Sequence, residues 1–101
     1  MKFGKIKHMV IFCLKHDKDS PEEKKFLQDG ESLLKQIPGV NNFEVLKQTS
    51  SKNDYDFGFS MEFNDEQAHE IYSKHPSHVS FVEERWLKEV IRFLEIDFEN
   101  I

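Results

Sequence analysis

The sequence has one cysteine, three prolines, four glycines and two arginines, Arg85 and Arg92, in 101 residues. Cys13 alone cannot close an internal disulfide, and no Cys-x-x-Cys pair is present, so a disulfide framework and a thiolate metal site are both excluded and a reducing compartment is the natural reading. A formal charge of −5 with so little arginine argues against the clustered basic surface that neutralises nucleic-acid phosphates. An anionic membrane surface is disfavoured on the same ground. Long apolar runs are also missing. The run Met9 to Leu14 is six residues, against about 20 for a membrane span. Lys2, Lys5 and Lys7 precede it, but no small-residue cleavage site follows, so it does not read as a secretory leader. These absences lead to the expectation of a cytoplasmic protein without membrane or nucleic-acid partners. The length leads to a single domain over 1–101.

What is abundant is charge, at 33%, and phenylalanine, with ten copies among the 38% of hydrophobic residues. An average domain is about 25% charged, so a few large aromatic side chains must supply the packing, each burying about 150–250 Å². Periodicity shows where they go. Ile6 to Leu14 alternates with period two: Ile6, His8, Val10, Phe12 and Leu14 lie on one face, and Lys7, Met9, Ile11 and Cys13 on the other. Both faces are largely apolar, as in a strand covered on two sides. Ser20-Pro21-Glu22-Glu23 is a capping box with proline at the first helical position, and it predicts a helix start. Phe26, Leu27, Leu33, Leu34 and Ile37 follow on its inner stripe, and Pro38-Gly39 ends it. Phe43 to Gln48 reads as a strand. Tyr55, Phe57, Phe59, Met61 and Phe63 form one face of the next. Asn64-Asp65-Glu66-Gln67 can cap a second helix with Ala68, Ile71 and Tyr72 inward. Pro76 forces a break and a restart, with an inner stripe of Val79, Val82, Trp86 and Val90. Ile91 to Phe98 is the last strand, with Leu94, Ile96 and Phe98 on one side. The order strand, helix, strand, strand, helix pair, strand is an α+β split βαβ arrangement, a four-stranded antiparallel sheet with helices on one face. The other face is too apolar to stay in water, and a second copy of the chain is the simplest cover.

Chemistry-bearing residues concentrate in Tyr72-Ser73-Lys74-His75-Pro76-Ser77-His78. Histidine titrates near neutrality and serves as acid or base. His78, a turn before Val82, shares the inner stripe, whereas His75 caps the helix or faces solvent. His8 is interior by strand phase. A buried histidine often only satisfies a hydrogen bond, so each has a packing reading beside the functional one. Gly30 on the first helix's inner stripe is either a close helix–sheet approach or room for a ligand. A metal site from His8, His75 and His78 matches no established spacing, and none is expected. Cys13, with no basic neighbour in sequence, reads as an inert thiol on the face awaiting a partner.

Ile6-Lys7-His8-Met9-Val10 with Phe12, Ile37-Pro38-Gly39-Val40 with Phe43-Glu44-Val45, Tyr55-Asp56, Phe63, and Tyr72 followed by His75-Pro76-Ser77-His78-Val79 with Phe81-Val82, then Ile96-Asp97-Phe98, together resemble the stress-responsive dimeric α/β-barrel (Dabb) domain family over nearly the whole chain. The resemblance implies a ferredoxin-like βαββαβ monomer that pairs its sheet with a second copy into a dimeric α+β barrel, with a pocket between sheet and helices. Olivetolic acid cyclase-like members imply cofactor-independent proton transfer, with His78 as base, Tyr72 assisting and His8 in the cavity. Gly30 stands where those enzymes carry a pocket tyrosine, so their polyketide activity does not transfer. The expectation is a small homodimeric stress-responsive protein that binds a small, partly apolar ligand at His8, Gly30 and His75. The alternative is a cofactor-free cyclase- or lyase-like enzyme using His78 and Tyr72. A barrel monooxygenase shares only the architecture. Neither reading requires a metal or a cofactor.

Overall fold

The alternation of Ile6–Leu14 produces β1, the strand on which the rest of the molecule is built. The structure is a computed structural model that describes residues 5–101. The first four positions of the expected 1–101 domain, Lys2 included, lie outside the described residues. The elements that follow are α1 (Pro21–Leu34), β2 (Asn41–Lys47), β3 (Phe57–Phe63), α2 (Glu66–Lys74), α3 (Pro76–Phe81), a π-helical turn (Val82–Trp86), α4 (Leu87–Glu89) and β4 (Val90–Glu99). All strand pairs are antiparallel and the sheet order is β2-β3-β1-β4, so β1 is central. Among the described residues, no helix is long and apolar enough to cross a membrane.

The helix starts have the capping chemistry their sequences carry. Ser20 Oγ accepts from the Glu23 N–H at 3.2 Å, and Glu23 reaches back to accept from the Asp19 N–H at 3.0 Å. Asp19 has φ +64°, a left-handed conformation that aspartate tolerates better than most residues. The cap of α2 is Asp65, not Asn64, and its carboxylate accepts from the Ala68 N–H at 2.8 Å. His75 ends α2 and caps α3, its Nδ1 accepting from the Ser77 N–H at 3.1 Å.

The helix-facing side of the sheet carries the core. Phe12, Phe59, Met61 and Phe63 from the strands and Phe26 from α1 are fully buried, with Tyr72 of α2 packed on Phe63 and Phe81 of α3 on Phe26. Gly30 sits where α1 comes closest. A Cβ there would lie 2.7 Å from Phe59 Cζ and 3.2 Å from Phe81 Cζ, so the helix can approach only because this residue has no side chain.

Several local expectations are corrected. Helix α1 stops at Leu34, and Ile37 is buried from the turn beyond it. Leu33, Ile71 and Val79, expected inward, are exposed. The last two helical segments shift phase because Val82–Trp86 winds as a π turn. Its i→i+5 hydrogen bonds widen the turn beyond the 3.6 residues of an α-helix, so Phe81 and Trp86 both point inward, and Phe81, absent from the expected stripe, joins the core. Cys13 does have a basic neighbour across the sheet: Arg92, its register partner on β4, places Nη2 3.3 Å from Sγ.

The outer face of the sheet holds Met9 and Ile11 from β1 and, in register with them, Ile96 and Leu94 from β4. Phe98, opposite Lys7, is 53% exposed. The even-numbered apolar positions of the last strand therefore extend the uncovered patch that β1 begins.

Candidate functional site

At the end of the sheet where β1 begins, the layer between sheet and helices is not filled. A cavity of about 230 Å³ is walled by apolar groups including Val10, Phe59, Met61, Phe81 and Trp86, and has His8, Tyr72, His78 and Glu95 on it. Each polar group arrives from a different element. His8 projects inward by the alternation of β1, and Glu95, opposite Val10, by that of β4. Tyr72 comes from the last turn of α2 and His78 from α3. The break at His75-Pro76 turns the chain so that the Tyr72 and His78 rings meet, with centroids 4.6 Å apart. The π turn contributes Val82 and Trp86 to the far wall.

The hydrogen bonds define both histidine tautomers. His78 Nδ1 lies 3.0 Å from the Ser73 carbonyl oxygen, which can only accept, so Nδ1 carries the proton and Nε2 keeps its lone pair. His8 Nδ1 likewise donates to Asp97 Oδ1 at 2.5 Å. His78 thus retains a ring nitrogen able to take a proton.

Burial lowers the pKa of His78, against a smaller opposing effect of its bond to Ser73, so the ring is neutral at pH 7. Burial first, and then the negative charge of Glu95, push the Tyr72 hydroxyl well above its ordinary value, which keeps it a proton donor. It has no hydrogen-bond partner among the described residues, although Tyr72 is only 3% exposed. A proton acceptor at His78, a donor at Tyr72 and an apolar wall between them can hold a small molecule and move a proton on it.

His8, Tyr72 and His78, three of the five residues expected at the site, are brought together here. The other two are not. Gly30 is behind Phe59 and Phe81, and its missing side chain leaves room for the core and not for a ligand. His75 serves as a helix cap and faces a shallow outer groove with Glu66, Glu70 and Lys74. Among the described residues, His8, His75 and His78 do not form a cluster of potential ligand atoms. His8 instead lies with His69, ring centroids 4.9 Å apart, and with Asp97. Sequence reasoning missed His69, Glu95 and Asp97 as site residues. The signal was available: His69 precedes Tyr72 by three residues on one helix, and Glu95 and Asp97 have the strand phase that faces His8.

Comparison with known proteins agrees with this architecture. Residues 6–100 match the family model for the stress responsive A/B barrel domain. A Dabb family protein with a ferredoxin-like fold from Mesorhizobium loti is 52% identical, with a TM-score of 0.97 over 98% of this chain and 99% of that one. A dimeric protein of unknown function from Bacteroides fragilis is 23% identical, with a TM-score of 0.69 over 97% of this chain and 98% of that one. Hydroxynitrile lyase from Passiflora edulis shares the fold at 10% identity, with a TM-score of 0.80 over 94% and 92% of the two chains. No curated protein matches. The chain belongs to the stress responsive A/B barrel domain family, and its fold is the ferredoxin-like one.

Proposed function

From membership of that family we propose that the protein is a homodimer whose cavity binds a small, partly apolar ligand, with His8, Tyr72 and His78 meeting the ligand's polar end. The observation that carries this reading is the cavity itself: apolar walls on most sides, with a proton acceptor and an unpartnered donor converging at one end. Its volume of about 230 Å³ is below the range of about 300–1,000 Å³ common for ligand sites but above the roughly 150 Å³ that accommodates benzene in an engineered core. A single substituted ring is the fitting size. The uncovered outer face of the sheet, with Met9, Ile11, Leu94, Ile96 and Phe98, supports pairing with a second copy through the same patch. Light scattering should give about twice the 12.0 kDa chain mass, and a 12.0 kDa species at high concentration would remove the dimer.

A second reading, cofactor-independent proton transfer, is favoured by one specific feature, the opposite protonation preferences of His78 and Tyr72. His78 Nε2 would abstract the proton from a carbon or oxygen acid while the Tyr72 hydroxyl donates to the substrate oxygen where charge develops. Trp86, the one tryptophan in the chain, lines the cavity, so its fluorescence reports occupancy. Titration with small phenols, aryl aldehydes and hydroxynitriles should shift Trp86 emission, and a panel that leaves it unmoved would defeat both readings. His78→Ala should alter binding under the first and abolish turnover under the second.

The pH dependence follows from the sign of the His78 shift. A histidine whose folded pKa is lowered favours folding in its neutral form. That contribution is complete above the ordinary value of about 6.5 and is lost as pH falls through the lower folded value. Any proton abstraction by His78 should therefore persist below pH 6.5 before it declines, and a kcat/KM profile that falls from above that point would exclude His78 as the base.

A further inference from the structure

We propose that His8, His69 and Asp97 form a binding site for a first-row divalent transition-metal ion of the zinc type. One potential ligand atom from each residue lies within 4.8 Å of the other two. Two imidazoles and a carboxylate are a donor set suited to such ions, and unsuited to magnesium or calcium, which favour oxygen.

The scaffold brings the three together from separate elements. His8 and Asp97 are register partners on adjacent strands, and His69 leans over them from α2. Hydrogen bonding accounts for only part of this arrangement. His8 Nδ1 is bonded to Asp97 Oδ1 at 2.5 Å, but His69 Nε2 lies 3.9 Å from the same oxygen, too far for a hydrogen bond. A third donor approaches the pair without reaching it. Zinc–nitrogen and zinc–oxygen bonds of about 2.0–2.2 Å place neighbouring ligand atoms roughly 3.3 Å apart in a tetrahedron. The present separations straddle that spacing. The ion would take the place of the proton between His8 and Asp97, which shifts to His8 Nε2, opening that pair slightly and drawing His69 in. Asp97 has the freedom to move, with 47% of its side chain exposed.

The surroundings fit an ion with an accessible face. Phe63 packs beside both imidazoles, with ring centroids at 5.1 Å from His69 and 6.3 Å from His8, and provides the apolar backing that commonly lies behind metal ligands. On the solvent side, a groove of about 280 Å³ leads to His69 and Asp97 and is flanked by Glu66 and Glu99, which give the approach negative charge. Three protein ligands leave a coordination position toward this groove. The site shares His8 with the ligand cavity but does not depend on what the cavity binds.

Calorimetric titration of the full, metal-free chain with zinc tests the assignment, with cobalt(II) as a second probe that reports nitrogen and oxygen coordination through its visible absorption. Wild type should bind a single ion per chain. His69→Ala and Asp97→Ala should each weaken binding by about tenfold or more and remove the cobalt bands, while His78→Ala leaves both unchanged. His69 lies on a helix and is partly exposed, so alanine there keeps the fold, which circular dichroism verifies. Absence of saturable zinc binding, or binding that survives both His69→Ala and Asp97→Ala, would overturn the proposal. Failure of His78→Ala to affect small-molecule binding would bear on the cavity alone.

Discussion

The two halves of the helix-facing layer rest on the same strands and obey the same alternation, yet one is packed solid and the other is open. At the closed half, Phe12 meets Phe59 and Trp86 with ring centroids 4.9 and 5.0 Å apart, and Phe26 lies against Phe81 at 5.4 Å. Four residues back along β1, the inward position is His8, and the layer above it holds Tyr72, His78 and a cavity. Phe59, Phe81 and Trp86 belong to both halves, as core on one side and as wall on the other. Stability and chemistry are thus separated along the strand direction by a shared aromatic partition, and changes on either side of it should have opposite signatures.

The largest stability effect should come from the partition itself. Phe59→Ala removes a ring that is 1% exposed, and such a truncation costs about 3–5 kcal/mol. For a domain of this size each kcal/mol lowers Tm by roughly 4–8 °C, so urea and thermal unfolding should both show a loss that brings the fold near its limit. A loss under 1 kcal/mol would mean that the two halves are not distinguished by packing. Gly30→Ala should rank next. Alanine gains about 0.8–1 kcal/mol of helix propensity over glycine, but its methyl would press on Phe59 at 2.7 Å, and overpacking costs about 1–3 kcal/mol. The expected net loss, about 1 kcal/mol, is read from the urea midpoint. A gain in stability would show that the ring moves freely and that Gly30 is not what sets the helix–sheet distance.

The closed half was the more legible in sequence, because it follows from regular periodicity. The alternation of β1 and β3 identified Phe12 and Phe59, together with Met61 and Phe63 toward the open half, and the capping box placed the start of α1 at Pro21. The open half was legible only in its densest segment. Tyr72 and His78 were evident from the cluster around Pro76, but their partners are distant in sequence. Asp97 reaches His8 only through strand pairing, and Glu95 joins the cavity by the same phase. Where helical phase was assumed constant it failed. The π turn at Val82–Trp86 moved Val79 outward and brought in Phe81, and nothing in that segment's spacing announced a wider turn. Gly30 had two sequence readings, and only the proximity of Phe59 decided between them.

The smallest stability effect should come from the open half, where the chemistry is concentrated. Tyr72→Phe removes one oxygen and leaves the ring that packs on Phe63, centroids 5.2 Å apart. The hydroxyl has no acceptor among the described residues, and a buried polar group without a partner costs about 1–3 kcal/mol. Its removal should therefore change folding stability by less than about 0.5 kcal/mol, or raise it. If the hydroxyl donates a proton to a bound substrate, the same variant should lose roughly 10²–10⁴-fold in turnover, with ligand affinity changed far less. A substantial loss of stability would instead assign the hydroxyl to the packing, on the closed side of the partition. A variant that is neutral to folding and damaging to turnover is what a group held in the cavity for chemistry should produce.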